Sequence, residues 1–320
     1  MPMTHPTIIA VGELLVEFVS HQKGCELRAL SEYSGPYPSG APAICIDQAA
    51  RVGANAQIFG SVGADNFGVA LIERLRTNGV ETSGISEIKN KTTGVAFVSY
   101  FEDGSRTFIF HLNNTAADSV EPNSFTQPNG PVIMHISGSS LGNPQLRTAI
   151  EQAATSVIKH GGQISCDPNA RPELMSDGEI KSVLTNLIAK STYLFPSDSD
   201  LEFLYPGCSE EEAIAKLLEL GVETIALTRG EQGSIIYSKD NDPLHLSGHA
   251  VDEVDPTGAG DCYCGTFLAM IAQGRSIKTS GLYANAAGAI AVTKRGPMEG
   301  NSDLHTIENF MKNNPAVDNA

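Results

Sequence analysis

Between residues 255 and 261 the chain reads Asp255-Pro256-Thr257-Gly258-Ala259-Gly260-Asp261, and an apolar segment of helical character follows as far as Gln273. Glycines at 258 and 260 let the main chain approach a ligand closely, and the first N–H groups of the helix, at its positive dipole end, favour an anion there. A carboxylate at 261 would repel that anion. It is chemically sensible if it removes a proton from the group that attacks the anion, as general-base catalysis of phosphoryl transfer requires. Asp near a helix start is also a common cap, and the local pattern alone leaves both readings open.

Residues of this kind need a scaffold that delivers loops to one crevice. Thr7 to Glu13 reads as a buried strand, and from Pro131 onward the pattern alternates: strand Val132 to Ser137, helix Gln145 to His160, strand Ile164 to Asp167. Such alternation predicts a doubly wound, mostly parallel α/β sheet with helices on both faces and a ligand crevice at the carboxyl ends of its strands. The polar landmarks follow predicted strands: Glu17, the run Asp167-Pro168-Asn169-Ala170-Arg171, the pair Ser197 and Asp200, and the turn Thr228-Arg229-Gly230 to Gly233. Two segments depart from the alternation. Gly94 to Phe101 and Arg106 to Leu112 flank Asp103-Gly104, a hairpin signal. The turn-rich loop Gly35 to Ala43 opens a helix running to Val52, and Asp65 is expected to cap the helix after Gly63-Ala64-Asp65-Asn66-Phe67-Gly68.

The chain has 320 residues and a net charge of −16. That acidity argues against nucleic acid or an anionic membrane as partner, and it requires backbone N–H groups, a metal ion and a few placed cations to hold any phosphate. Six cysteines show no CxxC pair or disulfide spacing, and they are expected to be small core residues in a reducing cytoplasm. No G-x-G-x-x-G follows a strand with an acid the usual distance on, and G-x-x-x-x-G-K-[ST] is absent. Dinucleotide oxidoreductases and P-loop kinases are thereby disfavoured.

The 255–261 run closely resembles the D-T-x-G-A-G-D signature of the ribokinase-like (PfkB) sugar kinases, and similar features recur between residues 8 and 300. The resemblance implies a kinase domain over residues 1–312 with a tail at 313–320, and a small β-stranded lid from residues 13–38 and 92–112. It implies ATP and Mg²⁺ as cofactors, K⁺ as an activating cation, a small sugar as substrate and a homodimer paired through the lid strands. Gly258, Ala259 and Gly260 would form the anion hole and Asp261 would be the base. Glu17, Gly40, Ala41, Arg106, His111, Asn113 and Arg171 would face substrate, with Glu17 where Asp is commoner. Asn169, Ser197, Thr228, Gly230, Gly233 and Asn285 would serve the nucleotide; Asp200 would hold Mg²⁺ through water, and Asp255 and Thr257 a monovalent cation. Ser39, Ile44 and Ser197 depart from the family pattern, and Asp47 is a candidate to stand in for the sugar-binding Asn that the family carries at the place of Ile44. These departures keep a non-catalytic, sugar-sensing relative open as an alternative.

Relatives acting on 2-keto-3-deoxygluconate place an Arg in a Y-R-x-x-S-A lid segment; here the run is His111-Leu112-Asn113-Asn114-Thr115-Ala116, with Leu112 at that place. A desolvated carboxylate without its cation typically costs about 3–5 kcal/mol. The expectation is therefore a neutral ketohexose, fructose or tagatose, phosphorylated at its terminal hydroxyl, with a sugar-acid kinase as the alternative.

Overall fold

The computed structural model describes residues 5–102, 105–119, 125–170 and 178–317. The Asp103-Gly104 turn and Arg171 lie outside the described residues. Thirteen strands are present among those described: β1 (Thr7–Val11), β2 (Leu15–Ser20), β3 (Tyr33–Ser39), β4 (Asn55–Gly63), β5 (Ile85–Ile88), β6 (Gly94–Tyr100), β7 (Arg106–His111), β8 (Val132–Ser137), β9 (Gln163–Asp167), β10 (Tyr193–Leu194), β11 (Thr224–Thr228), β12 (Ser234–Ser238) and β13 (Leu244–Leu246).

In β1, Ile8 and Ala10 join one buried cluster while Ile9 and Val11 join the other. A strand apolar on both faces is stable only between two layers of helix, so the alternating side chains of this one strand build both halves of the core. Nine strands form the main sheet in the order β13-β12-β11-β10-β9-β8-β1-β4-β5, with β12 and β13 antiparallel to their neighbours. The chain leaves β1 toward β4 on one side and returns as β8 on the other. The sheet therefore switches direction between β1 and β8, and the crevice beyond their carboxyl ends is where such a sheet binds ligands. A second sheet, ordered β3-β2-β6-β7, stands where the lid was expected.

Helix starts follow local chemistry. Pro42 occupies the first turn of the helix Ala41–Arg51, the Asp65 side chain accepts from Gly68 N–H at 2.9 Å, and Asn143 caps Pro144–Lys159 through Gln145 and Leu146. The helix Ala259–Ala272 is buried almost all round. Buried on every face, it runs through the interior and its N-terminus opens into the crevice.

Within β8, His135 is fully buried, touches Ser165 Oγ at 3.0 Å through Nδ1, and burial pulls its pKa down to about 4 from 6.5. Below pH 6.5 the unfolded chain binds a proton that the folded chain refuses until pH reaches about 4. Stability from this residue is therefore intact above 6.5 and lost as pH falls through that window, by up to about 3 kcal/mol. The urea midpoint should decline less between pH 6.5 and 4 in His135→Gln than in the parent. Parallel declines in the two proteins would show that His135 is not responsible.

Candidate active site

Gly258 is the N-cap residue of the 259–272 helix, at φ 83, and no side chain caps that end. The first N–H groups thus remain directed outward, and a positive φ is accessible to Gly at little cost. Asp261 is the third residue of the helix, within its first turn and 8% exposed, so it is not the N-cap. Its carboxylate lines two cavities at once.

The first, of about 300 Å³, is bounded by Arg106, Asp167, Asn169, Ser197, Asp200 and Gly260, together with Asp261. The second is smaller, about 60 Å³, and lies at the switch point between β1 and β8. Glu13, Glu17, Ser39, Gly40, Ala41 and Asn169 supply its polar wall, and Leu15, Ile44, Phe108, Phe110 and Leu112 its apolar wall. A further space of about 270 Å³ shares Glu13, Phe110, Leu112 and Ser139 with it and includes Asn113. On the other side, a cavity of about 390 Å³ shares Thr228, Pro256 and Gly260 with the first and adds Gly230, Gly233, Tyr263 and Asn285. One groove thus runs from Asn285 past the helix N-terminus to Glu17. Asp261 stands at the junction of its middle and its small end.

Most expected residues meet in this groove. Thr228, Gly230, Gly233 and Asn285 converge at the large end, though the Asn285 amide donates to Leu246 and Ser247 carbonyl oxygens and so also has a structural function. Asn169, at φ 38, donates through its amide to Ser137 Oγ at 3.2 Å, which aims it into the middle. Ser39 Oγ donates to Glu17 Oε2 at 3.3 Å, orienting that carboxylate across the small cavity. Gly40, at φ 109, has no room for a Cβ, which would lie 2.4 Å from the Glu13 carbonyl oxygen. The main chain can pass this close to the wall of the small cavity only as glycine.

The sequence matches the pfkB family carbohydrate kinase description over residues 6–304. The chain belongs to that family. It is similar to the probable fructokinase-2 of Arabidopsis thaliana, 32% identical over 302 residues that cover 90% of this chain and 91% of the relative. Fructokinase-1 of Zea mays is 31% identical, covering 90% of this chain and 92% of its own. A crystal structure of an E. coli protein assigned as a ribokinase II, in complex with ATP and Mg²⁺, is 40% identical with a TM-score of 0.90, covering 96% and 99% of the two chains. The fold is shared as well with a Vibrio cholerae fructokinase at 23% identity and a TM-score of 0.86, covering 97% of this chain and 99% of that one.

Several side chains of the kinase serve other purposes than those expected. His111 sits on the exposed side of β7, because Phe108, Phe110 and Leu112 take the alternate positions that face the small cavity. Asp47 is fully buried and accepts from Asn78 and Asn301 amides at 2.6 and 2.7 Å, so it is a packing residue that does not line the small cavity. Asp200 lines the middle cavity, yet both its oxygens are engaged: Oδ1 accepts from Ala170 N–H, and Oδ2 from Ser197 N–H in a capping box. Glu202 accepts from Gly207 N–H instead. Asp255 is fully buried; it accepts from the Tyr100 hydroxyl, Thr257 N–H at 3.0 Å and Gly296 N–H at 2.9 Å. Thr257 Oγ1 lies 2.6 Å from the same tyrosine hydroxyl and 3.4 Å from Arg106 Nη1. Both side chains thus belong to a hydrogen-bonded network that ties the second sheet to the 255–258 loop.

Glu13 was missed by sequence reasoning. It is 6% exposed, accepts from the Ser140 hydroxyl at 2.5 Å and from Ser139 at 3.4 Å, and burial raises its pKa despite those bonds. Five cysteines are buried, all six are free, and burial followed by the charge of neighbouring aspartates raises the Cys45, Cys166 and Cys264 thiols. These three are inert core residues. Among the described residues no helix is long and apolar enough to cross a membrane.

Proposed function

We propose that this kinase transfers the terminal phosphoryl group of ATP to the terminal hydroxyl of a neutral ketohexose, fructose or tagatose. The observation that carries the reading is the placement of Asp261 in the shared wall of two cavities, one bounded by the helix N-terminus and Arg106, the other by hydroxyl-binding side chains. Asp261 accepts the proton of the sugar hydroxyl, whose oxygen attacks the γ-phosphorus as the bond to ADP breaks. The outward N–H groups at the start of the 259–272 helix stabilise the negative charge on the transferring group, and Arg106 lies on the same cavity.

Asp167, Asp200 and Asp261 converge on the phosphate cavity, and so acidic a lining suits a polyphosphate only with a divalent cation between them. Among the described residues no three acidic, His or Cys side chains are gathered to cage a metal. Mg²⁺, present with ATP in the E. coli relative, fits this site if phosphate oxygens and water supply most of its ligands.

The small cavity decides the class of sugar. Glu13, Glu17 and Asp261 line it, Leu112 forms part of its apolar wall, and no Lys or Arg does so among the described residues. Carboxylates accept pairs of hydrogen bonds from adjacent hydroxyls, while an anionic sugar would meet like charge without compensation. The names of the plant relatives support a fructose-like acceptor. Comparison of kcat/KM for fructose, tagatose and 2-keto-3-deoxygluconate tests this. The keto acid is expected to be at least about 10²-fold poorer. A preference for the keto acid would overturn the assignment and direct attention to Arg106 and Arg171.

A further inference from the structure

Two residues near the tip of the lid hairpin touch the loop that leads into the anion-binding helix. Tyr100 ends β6, Arg106 begins β7, and the two are cross-strand partners. The Tyr100 hydroxyl donates to Asp255 Oδ1 and lies 2.6 Å from Thr257 Oγ1; Arg106 approaches the same Oγ1 and lines the phosphate cavity. We propose that Tyr100 is a positioning residue for phosphoryl transfer, a latch that seats the lid on the anion-hole loop and holds Arg106 over the transferring phosphoryl group.

The chemistry of the contact suits a latch. Asp255 is fully buried and also accepts the N–H groups of Thr257 and Gly296, so one carboxylate joins three segments: the lid, the 255–258 loop and the 296–297 turn. The last of these touches the helix start, since a Cβ on Gly258 would lie 2.3 Å from the Pro297 carbonyl oxygen. A displaced Asp255 is thus transmitted to the anion hole itself. Burial and the Asp255 charge hold the phenol protonated, so its single proton is committed to the carboxylate. A hydrogen bond to a buried charge is among the stronger kinds, which favours the seated over the open lid. With the lid seated, water is kept from the phosphoryl group and the sugar hydroxyl is the nucleophile that remains.

The proposal rests on the kinase reading, and the parent enzyme separates the two: a parent without sugar-dependent ADP formation defeats that reading, whereas an active parent makes the latch testable. Tyr100→Phe removes only the hydroxyl. Its kcat for sugar phosphorylation should fall about 10- to 100-fold, with MgATP affinity in the absence of sugar unchanged, because the large end of the groove has no contact with Tyr100. The ratio of ADP formed to sugar phosphate formed should also rise above one as water reaches the phosphoryl group, a signature that a merely structural residue would not give. Thr257→Val removes the hydroxyl that contacts both the tyrosine oxygen and Arg106, a second tie between the same two segments, and gives a second reading should Tyr100→Phe lose its fold. Combined, the two substitutions should cost little more than the larger alone. Parent-like kcat with a ratio of one in either folded variant, or fully additive losses in the pair, would overturn the proposal.

Discussion

Asp261→Asn should lower kcat by at least about 10²-fold while leaving the fold and MgATP binding close to those of the parent. The substitution keeps the shape of the side chain and removes its capacity to take a proton. Gly258 is the N-cap residue of the helix, so a change at 261 does not remove the cap, and little stability is at stake. The loss should appear in kcat, because the transition state requires the proton transfer and substrate binding does not. Turnover measured in a variant with the parent's circular dichroism and melting temperature decides the matter. Near-normal turnover would leave Asp261 as part of the helix start and no more.

The two glycines flanking Ala259 should fail in different ways. At Gly260 an added Cβ meets no atom within 4 Å beyond its chain neighbours and its own helix backbone, and the residue lines both the 300 Å³ and the 390 Å³ cavities. Gly260→Ala should therefore fold with the parent's stability and lose about 10²-fold in kcat/KM, since its methyl group occupies space needed by phosphate oxygens at the donor N–H groups. At Gly258 the φ of 83 and the Pro297 oxygen 2.3 Å from an added Cβ both oppose a side chain. Gly258→Ala should be destabilised by about 2–4 kcal/mol, from left-handed backbone strain together with overpacking, and its activity should fall with its fold. Melting temperatures paired with kcat/KM separate the cases. Equal destabilisation of both variants would contradict the distinction.

How far the chain can be read from its letters depends on how local each cause is. The strands β1, β8 and β9 and the cap at Asp65 follow from short-range pattern, and each stands within a residue or two of expectation. The 255–261 loop was legible because its glycines and its acid are contiguous. Glu13 was not: its partners Ser139 and Ser140 are brought to it by the adjacency of β1 and β8, which only the sheet order supplies. The same holds for Tyr100 and Asp255, 155 positions apart. His111 is a different kind of case, since the period-two alternation of Phe108, Phe110 and Leu112 was present in the sequence and indicated the side facing the small cavity. Asp47 lies on the correct helix, but Asn78 and Asn301 arrive from distant segments to bury it.

The central claim, that Asp261 directs a phosphoryl group from ATP onto the terminal hydroxyl of a neutral ketohexose, is tested most directly by following the phosphorus. Phosphorus NMR of a reaction with MgATP and fructose or tagatose should show one terminal phosphate monoester formed for each ADP released, and no ADP formation when the sugar is omitted. ADP accompanied only by inorganic phosphate, or no ADP with either sugar, would contradict the account.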